Sequence, residues 1–384
     1  MLARAHVGTR LRYGRGVARR ILALASYPSR AASTRHRLLA YLPYVRARGI
    51  ECDVVPFVVD GAHARFAQPG HALAKMLVVA RAALHRAALL VRAGGYDAVV
   101  IQREAALIGP ELIEQLLARA HRLPIIYDVD DAVWLPPPTG GSHQPQLARW
   151  LRAPGKTSRI MRMAAHVVAG SEHIADFARA QGVRHVTVLP SVVSREQWRP
   201  LPVRACGGFV DDTAPLVGWV GTPSTAMELA QAAPALRALR DAGRKFRVRV
   251  VGAGEGCLQD MASERVPWTV ESEVAEFAGI DIGLAPMASD AWAEGKCGFK
   301  QLQYMAVGVP QVSSLVGGAR AFLRHGENAL CAATADEWRA HIATLLDDQA
   351  LRRTLSSNGR ALVEAELCSE LLGPRFADVL ASVL

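Results

Sequence analysis

The chain has 384 residues, 51% of them hydrophobic and 6% aromatic, with a formal net charge of +10. That length exceeds one ordinary core and suits two domains, and the apolar content argues against a disordered chain. No apolar run reaches the roughly 18–20 residues that span a bilayer, and six scattered cysteines without a C-x-x-C pair argue against a zinc site or disulfide framework and suit a reducing cytoplasm.

The charge is uneven. Residues 1–200 hold 28 Lys/Arg against 13 Asp/Glu, and the remainder 17 against 22. The first 50 residues contain 11 Arg and no acid. Such a half is either a solvated basic face or a surface for an anionic partner: nucleic acid, an anionic membrane or an acidic substrate. Met1–Arg20 has six Arg and no apolar segment, so it is not a secretory signal. Residues 1–20 read as a basic leader, disordered or lying on a membrane surface.

Ile21–Ser26 reads as a buried first strand that turns at Tyr27-Pro28-Ser29. Helical spacing follows over Thr34–Arg48, closed by Gly49, and Cys52–Val59 is the next strand. Strand, helix, strand in this order opens a doubly wound sheet. His71–Ala93 is a long apolar helix dotted with Lys75, Arg81, His85, Arg86 and Arg92. It is either a packed helix with a basic outer stripe or a contact for membrane or lipid-linked substrate. Ala98–Gln102 is a strand, Pro110–Arg122 a helix, and Pro124–Val129 a strand; a Pro/Gly/Ser loop covers Pro136–Pro145. Strands at Val167–Gly170 and Val186–Leu189 flank a helix at Ser171–Gln181.

The pattern breaks at Trp198–Gly208, which marks a linker. The second unit begins with the strand Leu216–Val220, the turn Gly221–Thr225 and a helix to Ala242. Strands follow at Phe246–Val251, Ile280–Ala285 and Pro310–Ser314, with a helix at Phe299–Ala306. Two successive α/β units predict two Rossmann-like lobes facing each other across a cleft. The expected division is a leader over 1–20, lobes over 21–203 and 204–368, and a terminal helix over 369–384.

Several motifs sit at strand ends, where doubly wound sheets place their ligands. In Gly221-Thr222-Pro223-Ser224-Thr225, a small-residue turn into a helix makes an anion site or only a cap. Gly252-Ala253-Gly254-Glu255-Gly256 has the wrong spacing for a dinucleotide fingerprint, yet its glycines let a nucleotide approach closely. Lys296 and Lys300 flank Gly298 at the start of a helix, with Phe299 between them and Gln303 one turn on. Two ammonium groups beside free N–H groups suit a leaving diphosphate, and Gln303 suits hydroxyls of sugar or ribose. The other reading is a solvated lysine pair. Asp128, Asp130 and Asp131 crowd one strand end; they bind hydroxyls, accept protons, cap a helix or pair with an arginine. Ser33, Arg35 and Arg37, with Arg103 and Glu104, are candidates for holding an anionic acceptor or the donor phosphate across the cleft; the other reading is a plain helix start.

Together these segments resemble glycosyltransferase family 4, and within it a bacterial subgroup. The resemblance rests on STRHRLLAYLPYVRARGIECDVVPF, YDAVVIQRE, YDVDDAVW, VGWVGTPST, VVGAG, DIGLAPM, GKCGFKQLQYMAVGVPQVSS and GGARAFLRHGENALC. It covers most of residues 20–365. It implies the GT-B fold, a retaining reaction with a UDP-, GDP- or dTDP-sugar, no required metal or cofactor, and a last helix that crosses back to the N-terminal lobe. Two departures stand out. The wider family's Glu-x7-Glu pair falls on Gly295 and Gln303, with Glu294 one residue off, and its Arg and Lys after the first strand of the second lobe fall near Thr222 and Ala226 or Met227.

The expected activity is hexosyl transfer. Lys296, Lys300, Asp128, Asp130 and Asp131 are the catalytic candidates. Gly221, Thr222, Ser224, Thr225, Gly252, Gly254, Trp268, Glu271, Glu273, Glu294, Gly298, Phe299 and Gln303 would hold the donor. The acceptor is unidentified, nucleic acid is not expected, and the expected setting is the cytoplasm, with the inner membrane face as an alternative. A nucleotide-sugar epimerase or a non-catalytic nucleotide-sugar binder are the competing readings.

Overall fold

The computed structural model describes residues 19–59, 72–135, 153–200, 214–253, 258 and 260–384. The leader up to residue 18, the loop 136–145, linker residues 201–208 and Gly254 lie outside the described residues.

Two parallel six-stranded sheets form the two lobes. The N-terminal sheet contains β1 (Arg19–Ala25), β2 (Ile50–Pro56), β3 (Ala98–Gln102), β4 (Ile125–Val129), β5 (His166–Ala169) and β6 (Val186–Val188) in the order β2-β1-β3-β4-β5-β6. The C-terminal sheet contains β7 (Leu216–Val220), β8 (Arg247–Val251), β9 (Glu264–Val266), β10 (Ile282–Ala285), β11 (Gln311–Ser313) and β12 (Leu330–Cys331) in the order β12-β11-β10-β7-β8-β9. Central strands such as β3, β4 and β7 are buried along their whole length, as continuous apolar runs with helices on both faces require.

The helices of the N-terminal half are α1 (Ala32–Arg37), α2 (Leu42–Ala47), α3 (Ala72–Arg92), α4 (Leu112–Gln115), α5 (Lys156–Met163) and α6 (Glu172–Ala180). Those of the C-terminal half are α7 (Ala233–Asp241), α8 (Ala291–Glu294), α9 (Phe299–Ala306), α10 (Ala335–Asp347), α11 (Gln349–Leu362) and α12 (Ser369–Val383).

Two expected helices are interrupted. The stretch 34–48 splits into α1, a 3-10 turn at Leu39–Tyr41 and α2, because Pro43 sits in the first turn of α2. The stretch after Gly221 is a 3-10 segment, Pro223–Gln231, followed by α7 with Pro234 in its first turn. Proline lacks the N–H that would carry a helix through either point.

The terminal helix α12 lies on the N-terminal lobe. Leu372, Phe376, Ala377 and Leu380 pack with Ile21, Ala23 and Tyr41, and the Phe376 ring stacks on Tyr41 at 4.7 Å. A Cβ at Gly373 would fall 2.1 Å from the Tyr44 ring, so only glycine allows this approach. Trp198, expected to open a linker, is fully buried among Phe277, Tyr304 and other C-terminal core residues.

Candidate functional site

The lobes meet along the segment Gly295–Phe299. A Cβ at Gly295 would lie 2.4 Å from Ala132 Cβ and 2.6 Å from its backbone nitrogen. The N-terminal lobe therefore fills the place where the wider pattern has its first glutamate. Next in sequence, Lys296 Nζ lies 3.0 Å from Asp131 Oδ1. The Cys297 side chain is buried within the N-terminal core, where its thiol donates to the Asp130 carbonyl at 2.8 Å. Burial pushes that thiol up to about 12, so it is a packing group and not a nucleophile. Phe299 packs its ring 4.4 Å from that of His36.

A second interlobe bridge runs through Glu273. Its Oε2 accepts from Arg35 Nη1 at 2.5 Å and lies 3.8 Å from His36 Nε2, and its Oε1 accepts from Gln303 Nε2 at 3.4 Å. Burial alone would raise the Glu273 carboxyl, but His36 and Arg35 outweigh it and hold it below the ordinary range. The Arg35 guanidinium also lies 5.9 Å from the Trp268 ring. On the exposed rim, Arg30 donates to both oxygens of Glu271 at 2.6 and 2.9 Å.

The aspartates divide into two roles. Asp128 is buried and receives Arg37, whose Nη2 is 2.5 Å away and whose Nη1 donates to Leu189 O. Arg37 is fully buried. Both residues were expected to face substrate; they instead form an internal strut of the N-terminal lobe, because an arginine on α1 reaches the end of β4. Asp130 and Asp131 are clamped by Arg103 at 2.5 and 2.6 Å. Burial opposes the Asp130 charge, yet Arg103 outweighs it and pulls the carboxyl down to about 2. Asp130 is thus a fixed anion, poorly matched to proton abstraction near neutral pH. Arg103 adopts a left-handed backbone, φ 61°, a conformation that costs roughly 1–3 kcal/mol and gathers at sites where placement matters. Glu104 accepts from the buried Lys156 at 3.1 Å, and Ser33 accepts from Gln102 at 3.2 Å.

Lys300 stands apart. It follows Gly298, the left-handed residue that starts α9 with φ 72°. Its side chain is 14% exposed, Nζ is 3.9 Å from Glu228 Oε2, and Nζ lies 4.3 Å above the Trp219 ring. No hydrogen-bond acceptor within the described residues receives this ammonium. Burial lowers it to about 8, against the opposing pull of Glu228. This ammonium lacks a hydrogen-bond acceptor and has the Glu228 carboxylate only at the edge of ion-pair distance, which leaves it able to receive a further anion beside the helix start.

The remaining donor candidates fall into three groups. Thr222 and Ser224 are exposed, and with Thr225 they cap the 3-10 segment; Thr222 Oγ1 lies 2.9 Å from Ser224 Oγ. Gly252, φ 74°, brings the ends of β7 and β8 together, since a Cβ there would fall 2.2 Å from Gly221 O. Gly221 is hemmed in by the Trp219 ring. Glu294 is taken up by Arg320, whose Nη2 is 2.9 Å from Oε1, so it serves an exposed ion pair instead of standing in for the absent glutamate.

A groove of about 460 Å³ passes between Pro223 and Ala253, at the turns after β7 and β8. A larger one, about 820 Å³, lies past the ends of β10 to β12 and touches Ser314, Arg320 and Cys331. Neither is lined by Lys296, Lys300 or Gln303. Sequence reasoning missed Arg30, Glu228 and Trp219, and missed Cys297 as an interlobe plug. None stands in a recognisable spacing; only the three-dimensional register reveals them.

Residues 214–348 match the family model described as glycosyl transferases group 1. The C-terminal lobe carries that match. Among proteins of curated function none matches the chain. The fold as a whole is that of two-lobed GT-B glycosyltransferases. It resembles HepE (Alr3699) of Anabaena, solved in complex with UDP and glucose, at 15% identity and a TM-score of 0.64, covering 95% of this chain and 100% of that one. It also resembles sucrose-phosphate synthase of Thermosynechococcus elongatus at 14% identity and 0.69, covering 95% and 99%. WaaG, a glycosyltransferase involved in lipopolysaccharide biosynthesis, aligns at 15% identity and 0.60, covering 94% and 99%. The C-terminal lobe is thus similar to glycosyl transferases of group 1, and the whole chain shares the two-lobed fold of these structures.

Proposed function

We propose that the chain is a retaining, family 4 type hexosyltransferase that takes its sugar from a UDP-, GDP- or dTDP-sugar without a metal ion. The observation that carries the reading is the Lys300 ammonium at the glycine-led start of α9, which has no hydrogen-bond acceptor among the described residues. The group 1 match over the same lobe supports it. HepE, whose fold this chain shares, has been solved with UDP and with UDP-glucose.

In this reading the diphosphate lies between Lys300, the first turn of α9 and the hydroxyls of Thr222, Ser224 and Thr225. The nucleoside extends toward Gly252 and Trp268. As the sugar–phosphate bond breaks, negative charge grows on the leaving oxygen, and the fixed cation and helix dipole stabilise it with no reorganisation. Lys296 joins them by exchanging Asp131 for phosphate. Asp130, kept ionised by Arg103, and its neighbour Asp131 accept hydrogen bonds from sugar or acceptor hydroxyls. Gln303, steadied by Glu273, takes the ribose in place of a glutamate. Contact between the lobes excludes the water that would hydrolyse the donor.

The test is calorimetry of the purified chain with UDP, GDP and dTDP, followed by turnover of the matching sugar nucleotides with candidate hydroxyl acceptors. One nucleoside diphosphate should bind, and Lys300→Ala should weaken it about 10-fold to 100-fold, the loss of a charged hydrogen bond. Binding unchanged in that variant would refute the phosphate role. Binding without turnover would instead favour a sensor, and donor conversion without acceptor an epimerase.

A further inference from the structure

The outer face of α3 is unusual for a soluble surface. Met76, Leu77, Leu84 and Val91 are 66%, 60%, 71% and 85% exposed. Leu77, Leu84 and Val91 recur every seven residues, so they stand in one stripe along the helix, with the exposed Ala80 and Ala87 between them. The opposite face, centred on buried Arg86, packs against the lobe, where Arg86 donates to Ala25 O and Ala105 O. Arg81, His85 and Arg92 are exposed along one flank of the apolar stripe. The helix contains no Asp or Glu, and among the described residues no carboxylate lies within ion-pair distance of Arg81 or Arg92. The adjoining α4 exposes Leu112, and the π-helical turn that follows it exposes Leu116.

We propose that this face docks on an anionic lipid bilayer, with α3 lying in the plane of the interface. An amphipathic helix with large apolar residues outward and cations beside them fits that surface: the stripe enters the headgroup boundary and the cations meet lipid phosphates. The alternative occupant is a second copy of the chain. Heptad spacing with alanines between would allow two such helices to pair. That pairing would set cations near cations with no acid on either helix, a like-charge arrangement that disfavours it. The net positive charge of the N-terminal half favours the same choice. The inference does not depend on the donor chemistry, since it concerns the outer face of the other lobe.

The full chain is to be sedimented with vesicles of equimolar phosphatidylglycerol and phosphatidylcholine, and with phosphatidylcholine alone. The wild type should pellet with the anionic vesicles only, and high salt should release part of it because screening shortens the reach of the cations. Leu84→Glu with Val91→Glu should lower the partition coefficient at least about tenfold. Its melting temperature should not change, because both side chains are already exposed. Arg81→Ser with Arg92→Ser should reduce the preference for anionic over neutral vesicles. The proposal is overturned if the glutamate variant sediments like the wild type. It is equally overturned if the wild type ignores vesicles but runs as a dimer that the same variant splits.

Discussion

In the proposed donor site, Lys300 makes binding depend on pH. Its ammonium, lowered to about 8 by burial, is charged below that value and neutral above it. Phosphate binding favours the charged form, so affinity for the donor should be level below pH 8 and fall as pH rises through it. Binding in that upper range should take up a proton, which calorimetry in buffers of different ionisation enthalpy reads directly. Lys300→Arg, whose guanidinium stays charged, should flatten the profile; an unchanged decline would place the titrating group elsewhere. At this scale the sequence shows Lys300 clearly, because glycine before a basic helix start is a local pattern. It does not show Arg37 joined to Asp128, or Glu294 joined to Arg320. Each pair spans many residues of chain, and spacing along a sequence carries no information about such reach.

Among the elements, α12 makes the sharpest claim. A helix that ends the chain yet packs on the first lobe ties the two halves together through side chains such as Phe376, 1% exposed and stacked on Tyr41. Phe376→Ala should cost about 3–5 kcal/mol, seen as a lower denaturant midpoint of the N-terminal lobe. The central strands are readable from their apolar runs, and β3, β7 and α9 have the bounds that the sequence predicts. Elements without such a signal are not. β12 is only two residues long, and β9 carries Glu264 and Arg265 within three, so neither has a hydrophobic period to detect. The 3-10 segment Pro223–Gln231 reads as α-helix by composition, because a propensity argument does not distinguish an i→i+3 from an i→i+4 ladder.

For the whole molecule, the relation of the lobes is held by charge as well as by packing. Glu273 gathers Arg35, His36 and Gln303, and its carboxyl lies below the ordinary range. A depressed carboxyl contributes above its unfolded value and loses that contribution as pH falls through the lowered one. The lobes should therefore separate on acidification, and X-ray scattering should record a larger radius of gyration. Glu273→Gln should show the larger radius already at neutral pH and little further change in acid. A variant as compact as the wild type, with the same acid response, would assign the bridge no part in holding the lobes.

The contact between Gly295 and Ala132 has a steric consequence. No single substitution could place a side chain at 295 in this arrangement, since the new Cβ would strike the backbone of residue 132. The loop at 130–132 would first have to withdraw, loosening Lys296 from Asp131 and Cys297 from Asp130. A side chain at 295 is opposed on one side by sterics and on the other by the bonds of Lys296 and Cys297, so the position is held to glycine.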